Sequence, residues 1–520
     1  MLTQTKQPVA PVSPVPRIRT VSQSRGEAYA YAGLLTLAIL RLWILPLRTG
    51  FWLDETGTFW AASGTLAQTF SRSIVWPSQF PLYTAIAWIA MHVGGRPELT
   101  MRLPSLFAMG VGAYLLYRLG VEMVNRAAAL AAVLLFVSFE PVAFAASDAR
   151  SYAIGLAAVI GAMLALVRWL ESSRLAYGLA YAACVALTWQ MQYVFATTFI
   201  VQVLYLCLRL RGGWRLKVSH GLAVIGTAVL LALPSAPHLQ AMLRTATSHG
   251  FAGSPSIEGL FATFAPPALV CGLIAAIAIA CAVDGGLRLR FPAINIQYLQ
   301  LLILWALIPC LLPFAISVLS SAKIFLPRYI LPFYPALALL GGIVIAGIQS
   351  SRLRLVGAAV TLAALIFSSR GLLDFSHGGD WSRAMLDVRT LAGGAPVLFR
   401  SGFPESQPFN WLGDRTRTDY LLAPLRIYPA PESTVALPFR LDSQAKSRLE
   451  EIAPWLASRD RFLLVEMGDQ SYDLWIAGRF SAAGFTARTI SGYGGPQDSL
   501  RLVIFQKKAL NDSGHGAVNG

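Results

Sequence analysis

The sequence predicts an α-helical polytopic membrane protein with about eleven transmembrane helices, an interfacial helix in the first outer loop and a small extracytoplasmic C-terminal α/β domain. Three observations lead to this fold class. The chain of 520 residues is 55% hydrophobic and only 13% charged, whereas soluble globular proteins carry about a quarter charged residues. Apolar runs of about 17–22 residues recur, the length that a helix needs to cross a bilayer. From residue 372 these runs stop, and short alternating segments separated by turn residues follow.

The predicted transmembrane helices follow one another with short polar connections, after a basic N-terminal segment. They cover residues 29–47, 103–121, 127–146, 153–170, 175–191, 193–208, 219–237, 267–284, 298–319, 330–348 and 355–371. One further apolar run, residues 80–93, has about 14 residues and is too short for a crossing. We therefore predict an interfacial helix there.

The positive charges indicate which connections face the cytoplasm. The net charge is +16, but Lys and Arg form short clusters between the apolar runs rather than one basic face, as the positive-inside rule predicts. Nucleic acid is therefore not an expected partner. If residues 80–93 crossed the membrane, every later cluster would lie outside. The predicted topology has a cytoplasmic N-terminus and an extracytoplasmic C-terminal domain, in the plasma (inner) membrane. The supporting clusters are Arg118 with Arg126, Arg168 with Arg174, residues 209–217, Arg288 with Arg290, and Arg352 with Arg354.

Composition divides the chain into four parts. These are a disordered cytoplasmic head (residues 1–28), a transmembrane domain (29–371), an extracytoplasmic α/β domain (372–508) and a disordered tail (509–520). In the α/β part, alternating apolar and polar positions predict strands at residues 396–400, 434–440, 462–467 and 501–506. Apolar positions at helical spacing predict amphipathic helices at residues 381–392 and 444–457.

Two adjacent carboxylates, Asp54 and Glu55, follow the first predicted span in the stretch FWLDETGTFW. Acids at the outer end of a span are often simply hydrated, but these two lie among aromatic residues typical of the headgroup region. Ionisable groups at membrane depth are costly and often functional. Both acids are therefore candidates for a catalytic carboxylate at the membrane surface.

Two later outer loops also carry charge. The loop SDARSY contains Asp148 and Arg150, which form either a local ion pair at the start of the next helix or a phosphate contact. The loop AKIFLPRYILP contains Lys323, Arg328 and Tyr329, and its two cations lie on the outer face against the positive-inside trend. Ordinary headgroup binding or an anionic ligand such as a lipid phosphate explains them. Together with the carboxylates, these loops suit attack by an acceptor hydroxyl on a sugar linked to a lipid phosphate.

No cofactor or metal site is predicted. The five cysteines lie inside apolar runs without a CxxC pair, and the six histidines are not spaced as ligands. His238 and His249 fall in a predicted outer loop, where substrate contact is one alternative and solvated positions are the expectation.

Five stretches occur in an order that resembles the GT-C glycosyltransferases, in particular the bacterial branch related to protein O-mannosyltransferases and aminoarabinose transferases. They are LDETGTFW, QFPLYTAIAWIAMHVGG, MRLPSLFAMGVGAYLLYRLG, SDARSYAIGLAA and LPRYILPFYPALALLGG. The resemblance covers residues 30–350 and a small outer domain. The chain departs from the family pattern at Gln79, Phe80 and Pro81, where relatives often carry His-Pro-Pro. This departure affects the expected donor or acceptor contacts near the interfacial helix, but it leaves the resemblance to the GT-C class unchanged.

The resemblance implies a polyprenyl-phosphate sugar donor and an inverting transfer at the outer leaflet. By match to the acidic first-loop motif, Asp54 is the expected base, with Glu55 beside it. The residues expected at the donor phosphate are Arg150, Lys323, Arg328 and Tyr329, and the second-loop acid is Asp148.

The predicted function is that of an integral membrane glycosyltransferase. It would move a sugar from a polyprenyl-phosphate donor to a hydroxyl of an envelope glycolipid, polysaccharide or protein. The alternatives are a transporter or flippase of a polar lipid or lipid-linked sugar, and a non-catalytic scaffold. A transporter should carry charge near the middle of broken spans paired across two halves, whereas these charges cluster at one face. The sequence leaves the sugar and the acceptor open.

Overall fold

The computed structural model describes residues 25–214, 217–244, 253–284, 289–369, 378–407, 411, 413–494 and 500–508. The described part is a bundle of apolar helices followed by a small domain on a five-stranded sheet. The predicted fold class is therefore confirmed. Residues 1–24 of the predicted head, the predicted tail and the predicted boundary after residue 371 lie outside the described residues.

Within the described residues, the bundle and its loops are built from helices separated by short turns. The helices are α1 (Arg25–Ile39), α2 (Leu53–Ala62), α3 (Leu66–Val75), α4 (Pro81–His92), α5 (Pro97–Thr100), α6 (Leu103–Met123), α7 (Arg126–Ser138), α8 (Glu140–Ala146), α9 (Tyr152–Ser172), α10 (Leu175–Met191), α11 (Thr197–Arg211), α12 (Val218–Ala232), α13 (Ala236–Arg244), α14 (Ile257–Phe264), α15 (Pro267–Asp284), α16 (Ile296–Leu319), α17 (Tyr334–Ala346) and α18 (Ser351–Ser369). The first span continues beyond α1 through a π turn and a 3-10 turn.

Helix length and composition identify the membrane spans. Two bent pairs, α7 with α8 at 73° and α14 with α15 at 40°, are long and apolar enough together to form a broken span or a re-entrant loop. The shorter apolar helices Leu175–Met191 and Leu331–Ala346 occupy two further predicted positions. All predicted spans therefore have a helical counterpart among the described residues. Seven stretches in that part of the chain are long and apolar enough to cross alone: Gly26–Arg48, Pro97–Met123, Tyr152–Ser172, Tyr193–Arg211, Val218–Arg244, Ile296–Leu319 and Ser351–Ser369.

Helix α9 lies at the centre of the bundle. Its span is 89% buried and apolar on all sides, as expected for a helix surrounded by others. Elsewhere α17 approaches α7 so closely that a Cβ at Gly342 would overlap backbone atoms of Ala128 and Ala132. Small residues permit such close helix contacts in membranes.

One end of the bundle joins the first span to α6. Arg102, the residue before α6, donates to the carbonyl oxygens of Thr49 and Gly50, both at 2.9 Å. The first span therefore ends where α6 begins, and the intervening helices α2 to α4 stay at this end. The prediction that residues 80–93 do not cross is confirmed.

The opposite end carries several basic residues that the sequence assigns to the cytoplasm. Arg354 pairs with Glu27 at 3.0 Å, and Arg209 pairs with Glu171 at 2.9 Å. Because Glu27 is buried against Arg354, residues 25–28 belong to α1 and not to the predicted disordered head.

The C-terminal domain has strand order β2-β1-β3-β5-β4, in which β1 is parallel to β2 and β3 while β5 is antiparallel to both its neighbours. Its elements are α19 (Trp381–Ala392), β1 (Val397–Arg400), α20 (Arg415–Leu421), α21 (Ala423–Ile427), β2 (Thr434–Leu437), α22 (Ser443–Ala457), β3 (Arg461–Glu466), α23 (Ser471–Ser481), β4 (Phe485–Ile490) and β5 (Arg501–Lys507). The predicted strands and helices are confirmed. Strand β4 was not predicted, because this edge strand is exposed at its central positions and has no apolar face.

The C-terminal domain shares a hydrophobic core with the first outer loop. Its aromatic residues Trp381, Phe403 and Tyr420 are buried together with Phe51 and Trp60. The backbone N–H of Trp381 also donates to the carbonyl of Phe51 at 3.3 Å. The domain is therefore packed directly on the loop that carries the candidate carboxylates.

Candidate active site

Helix α2 carries both candidate acids in its first turn. Negative charge is favourable there because the unpaired N–H groups and the positive end of the helix dipole lie at that end. Consecutive residues of a helix point about 100° apart. Asp54 and Glu55 therefore face different neighbours.

Glu55 is fully buried and accepts hydrogen bonds from three parts of the chain. The Arg102 guanidinium donates to both carboxylate oxygens, with Nε at 2.6 Å from Oε1. The backbone N–H groups of Ala149 and Trp52 donate at 2.8 and 3.1 Å. The carboxylate thus ties the start of α2 to the start of α6 and to the second outer loop. This position differs from the predicted catalytic one, because the side chain is enclosed by its own donors.

Asp54 instead lies beside Arg328 of the later outer loop. Its Oδ2 is 3.4 Å from Nη1 of Arg328, and the two side chains are 21% and 25% exposed. The guanidinium also lies over the ring of Tyr329, 5.4 Å from its centroid. The fold therefore brings these three predicted residues together at a partly open position.

Arg150 is buried next to this position and donates to three oxygens. Its Nη1 lies 3.0 Å from Oε1 of Gln79 and 3.3 Å from Oγ1 of Thr58, while Nη2 donates to the carbonyl of Ser78 at 2.9 Å. Burial opposes the charge of this guanidinium, but nearby negative charge, that of Asp54 foremost, outweighs it and raises the pKa of Arg150. The cation is held in one orientation within the field of Asp54.

Asp148 is fully buried in the same loop as Arg150. Its Oδ1 accepts from Nε1 of Trp52 at 3.0 Å. Burial raises the pKa of the Asp148 carboxyl to about 7, although the Trp52 bond and the charge of Arg150 oppose this increase. Near neutral pH this group therefore exists in both protonation states.

Lys323 occupies a different position from the one predicted. Its ammonium donates to the carbonyl oxygens of Ser317 and Ser320 at 2.6 and 3.1 Å. These carbonyls belong to the C-terminal end of α16, which favours a positive charge. The described contacts of Lys323 thus stabilise a helix end.

His238 is buried, so the expected solvated position was wrong. Its Nε2 lies 3.0 Å from the carbonyl of Pro77, and its Nδ1 lies 2.7 Å from the hydroxyl of Tyr193. The helical stretch continues to Arg244, beyond the predicted end of that span. His249 lies outside the described residues.

Sequence reasoning missed Arg102 and Tyr420, and it named Gln79 only as a departure from the family pattern. Arg102 carries a usable signal, because it is a cation at the outer end of a span, as Arg328 is. Tyr420 carries none, since its contact with Gln79 joins residues 341 positions apart. In the described part of the chain, no group of three or more His, Cys, Asp or Glu is arranged to hold a metal ion.

Comparisons with known proteins give matches to the helical bundle and to the chain as a whole, including the C-terminal domain. A family model described as dolichyl-phosphate-mannose-protein mannosyltransferase matches residues 77–239. Among solved structures, ArnT from Cupriavidus metallidurans bound to undecaprenyl phosphate is 14% identical with a TM-score of 0.50, over 93% of this chain and 98% of that one. The apo state of that protein gives 14% identity and a TM-score of 0.49 over the same shares. The Archaeoglobus fulgidus oligosaccharyltransferase tethered to an acceptor peptide is 11% identical with a TM-score of 0.46, over 92% of this chain and 74% of that one. A search of curated protein sequences gives no match.

The matched segment includes the interfacial helix, Arg102 and the loop with Asp148 and Arg150. The bundle and the C-terminal domain together share the fold of the ArnT structure. Over the matched segment the chain is similar to the dolichyl-phosphate-mannose-protein mannosyltransferase family, and its fold is that of a GT-C membrane glycosyltransferase structure.

Proposed function

We propose that the chain transfers a sugar from a polyprenyl-phosphate donor to a hydroxyl acceptor at the extracytoplasmic face, with inversion at the anomeric carbon. The observation that carries this proposal is the meeting of Asp54 and Arg328 at a partly open position beside buried Arg150. This arrangement offers one accessible carboxylate and two guanidinium groups, which suit a hydroxyl proton and a phosphate respectively.

The proposed reaction is a single displacement. The acceptor oxygen attacks the anomeric carbon while Asp54 takes the hydroxyl proton, and the bond from that carbon to the phosphate oxygen breaks. The electron pair leaves with the polyprenyl phosphate, whose growing charge Arg150 and Arg328 stabilise. Attack from the face opposite the leaving group inverts the configuration.

The contact between Asp54 and Arg328 suits a reaction in which Arg328 turns to the phosphate and Asp54 to the acceptor hydroxyl. At 3.4 Å it is longer than the roughly 2.7–2.9 Å typical of charge-assisted hydrogen bonds. Both side chains are partly exposed, so the guanidinium can turn to an arriving phosphate and leave the carboxylate to the acceptor. Tyr329 supports the guanidinium with its ring.

The donor class rests on the family resemblance and on the printed description of the matched family model, which refers to dolichyl phosphate mannose. The ArnT structure is described as bound to undecaprenyl phosphate. We assign Glu55 the role of positioning α2, because its donors enclose it. We assign Lys323 to the end of α16 rather than to the phosphate.

The test compares envelope material from a deletion strain carrying the wild-type chain or Asp54→Asn. Wild type should restore the glycoform that deletion removes, and mass spectrometry would identify both sugar and acceptor. Asn keeps the size of Asp but cannot accept the proton, so the initial rate in membranes should fall by roughly two to four orders of magnitude. Equal amounts of folded protein must be present in both samples. A near-normal rate with Asp54→Asn removes this residue from the reaction, and lipid movement without transfer favours the transporter alternative.

Topology is tested separately with reporter fusions. We expect a reporter after Gly213, within the basic connection that follows α11, to report the cytoplasm. A reporter after Gly520 should report the extracytoplasmic side. The reverse result at both positions places the site at the cytoplasmic face and excludes the proposed donor geometry.

A further inference from the structure

We propose that the C-terminal domain forms part of the donor site, with Tyr420 as a positioning residue for Arg150. This inference rests on the proposed function, in which Arg150 contacts the donor phosphate. One chain of contacts links Tyr420 of α20 to the guanidinium of Arg150.

The ring of Tyr420 is fixed inside the first outer loop. It is buried and stacks on Trp76 with centroids 4.0 Å apart and planes at 19°. Trp60 approaches edge-on at 5.4 Å, and Phe403 lies at 4.8 Å. Aromatic contacts of this kind stabilise a defined ring position. The hydroxyl group of Tyr420 therefore has one fixed position.

In this position the hydroxyl contacts Ser78 and Gln79, the two residues that hold Arg150. The Tyr420 hydroxyl lies 2.8 Å from Oγ of Ser78 and 3.5 Å from Nε2 of Gln79. The carbonyl of Ser78 and Oε1 of Gln79 accept from the two terminal nitrogens of Arg150. Tyr420 and Arg150 thus contact opposite sides of the same two residues.

The hydroxyl selects the amide orientation that Arg150 requires. Oε1 of Gln79 accepts from Arg150 and from Oγ1 of Thr58, both at 3.0 Å, so Nε2 must point the other way. There the Tyr420 oxygen can accept from Nε2 and donate its own proton to Ser78. Without the hydroxyl, the amide loses the acceptor that holds it, and a flipped amide would place N–H groups against the guanidinium.

Gly57 shows how closely this assembly lies to the proposed base. A Cβ at this position would be 3.0 Å from Nε2 of Gln79 and 3.2 Å from the Tyr420 ring. Gly57 follows Asp54 by three residues in α2, so the two positions are neighbours on the helix surface. The C-terminal domain therefore reaches the reaction centre through Tyr420.

The test measures the affinity of purified full-length protein in detergent for undecaprenyl phosphate. Tyr420→Phe keeps the ring stack and removes only the hydroxyl, so affinity should fall roughly three- to thirtyfold. The matched control is Tyr428→Phe. That hydroxyl accepts from the Phe51 N–H and donates to Glu98 at the same domain interface, and its loss should leave the affinity unchanged. Gln79→Leu, which removes the amide, should weaken affinity at least as much as Tyr420→Phe.

A double-mutant cycle separates positioning from general loosening of the interface. If Tyr420 acts through Arg150, then Tyr420→Phe should have little further effect in an Arg150→Ala background. Equal affinities for Tyr420→Phe and Tyr428→Phe would overturn the inference, as would fully additive effects with Arg150→Ala. If Arg150→Ala alone leaves the affinity unchanged, the proposed phosphate contact itself fails. If Arg150→Ala weakens affinity and Tyr420→Phe does not, only the role of Tyr420 fails.

Discussion

The first outer loop and the later loop with Arg328 supply opposite sides of the proposed site, but they are held very differently. In the first loop, Glu55 and Arg102 have no exposed side-chain surface, and Tyr420 adds the core of a second domain. In the later loop, Arg328 is one quarter exposed, and its Nη1 lies 3.4 Å from Oδ2 of Asp54. The side that would hold the base is rigid, whereas the side that would meet the mobile lipid can exchange partners.

This difference has a physical reason. A general base acts efficiently when its geometry is fixed before the reaction, and a buried ion pair with two further backbone donors fixes α2. A long lipid must enter and leave, so a cation that bound its carboxylate too firmly would compete with the phosphate.

The largest effect is expected for Glu55→Ala. It leaves the Arg102 guanidinium buried without its carboxylate, and breaking a buried pair costs about 3–5 kcal/mol of unfolding free energy. Thermal unfolding in detergent should show a large loss, and Arg102→Ala should behave similarly. The matched variant Asp54→Asn should unfold near the wild-type temperature while losing activity. Equal stability losses at the two acids would contradict the division of roles.

Arg328→Ala should weaken undecaprenyl phosphate binding with little change in stability. Loss of a charge-assisted hydrogen bond costs about 1.5–3 kcal/mol, which is roughly a ten- to 150-fold change in affinity. Arg328→Lys keeps the charge but loses the planar pair of donors, so its effect should be smaller and still measurable. If Arg328→Ala lowers only the amount of folded protein, the residue is a headgroup anchor and Arg150 remains the phosphate contact.

Gly57→Ala tests how closely the first loop is packed. The added methyl group would press on Gln79 and Tyr420, and such overpacking costs about 1–3 kcal/mol. Gly110→Ala is the control, since that glycine also lies in a helix and a Cβ there meets no atom within 4 Å. Alanine at Gly110 should stabilise slightly, by roughly 0.5–1 kcal/mol. A similar gain in unfolding free energy for Gly57→Ala would indicate that the first loop accommodates the added methyl group without strain.

The smallest effect concerns Asp148 and the pH dependence of stability. Burial raises the pKa of its carboxyl to about 7, whereas an unfolded Asp titrates near about 4. Between these values the folded protein keeps a proton that the unfolded chain releases, so the unfolding free energy falls as pH rises through this window and levels off above it. Asp148→Asn removes this contribution to the pH dependence. Unfolding temperatures at about pH 5 and about pH 8 should therefore differ less in the variant, and an equal slope in both proteins would rule out this assignment.

The sequence could predict the spans, the interfacial helix and most of the C-terminal strands because each depends on local patterns. Apolar length identified the helices, and charge asymmetry identified residues 80–93 as a stretch that does not cross. The sequence did not predict edge strand β4, because its central positions face solvent and give no alternating apolar pattern. Among candidate site residues, Asp54 carried a local signal as an acid among aromatic residues. Arg328 carried one as a cation on the face that the positive-inside rule leaves poor in Lys and Arg.

By itself, the sequence determined that this chain is a helical membrane protein with basic clusters in alternate connections between its spans, since hydrophobic length and charge placement are properties of short segments. Only the tertiary structure decided which carboxylate is enclosed and which is open, because adjacent residues of one helix turn toward different neighbours. It also decided that Tyr420 reaches Gln79, a contact between distant parts of the chain. Such contacts depend on how a domain and a loop pack together, and no local pattern of residues encodes that packing.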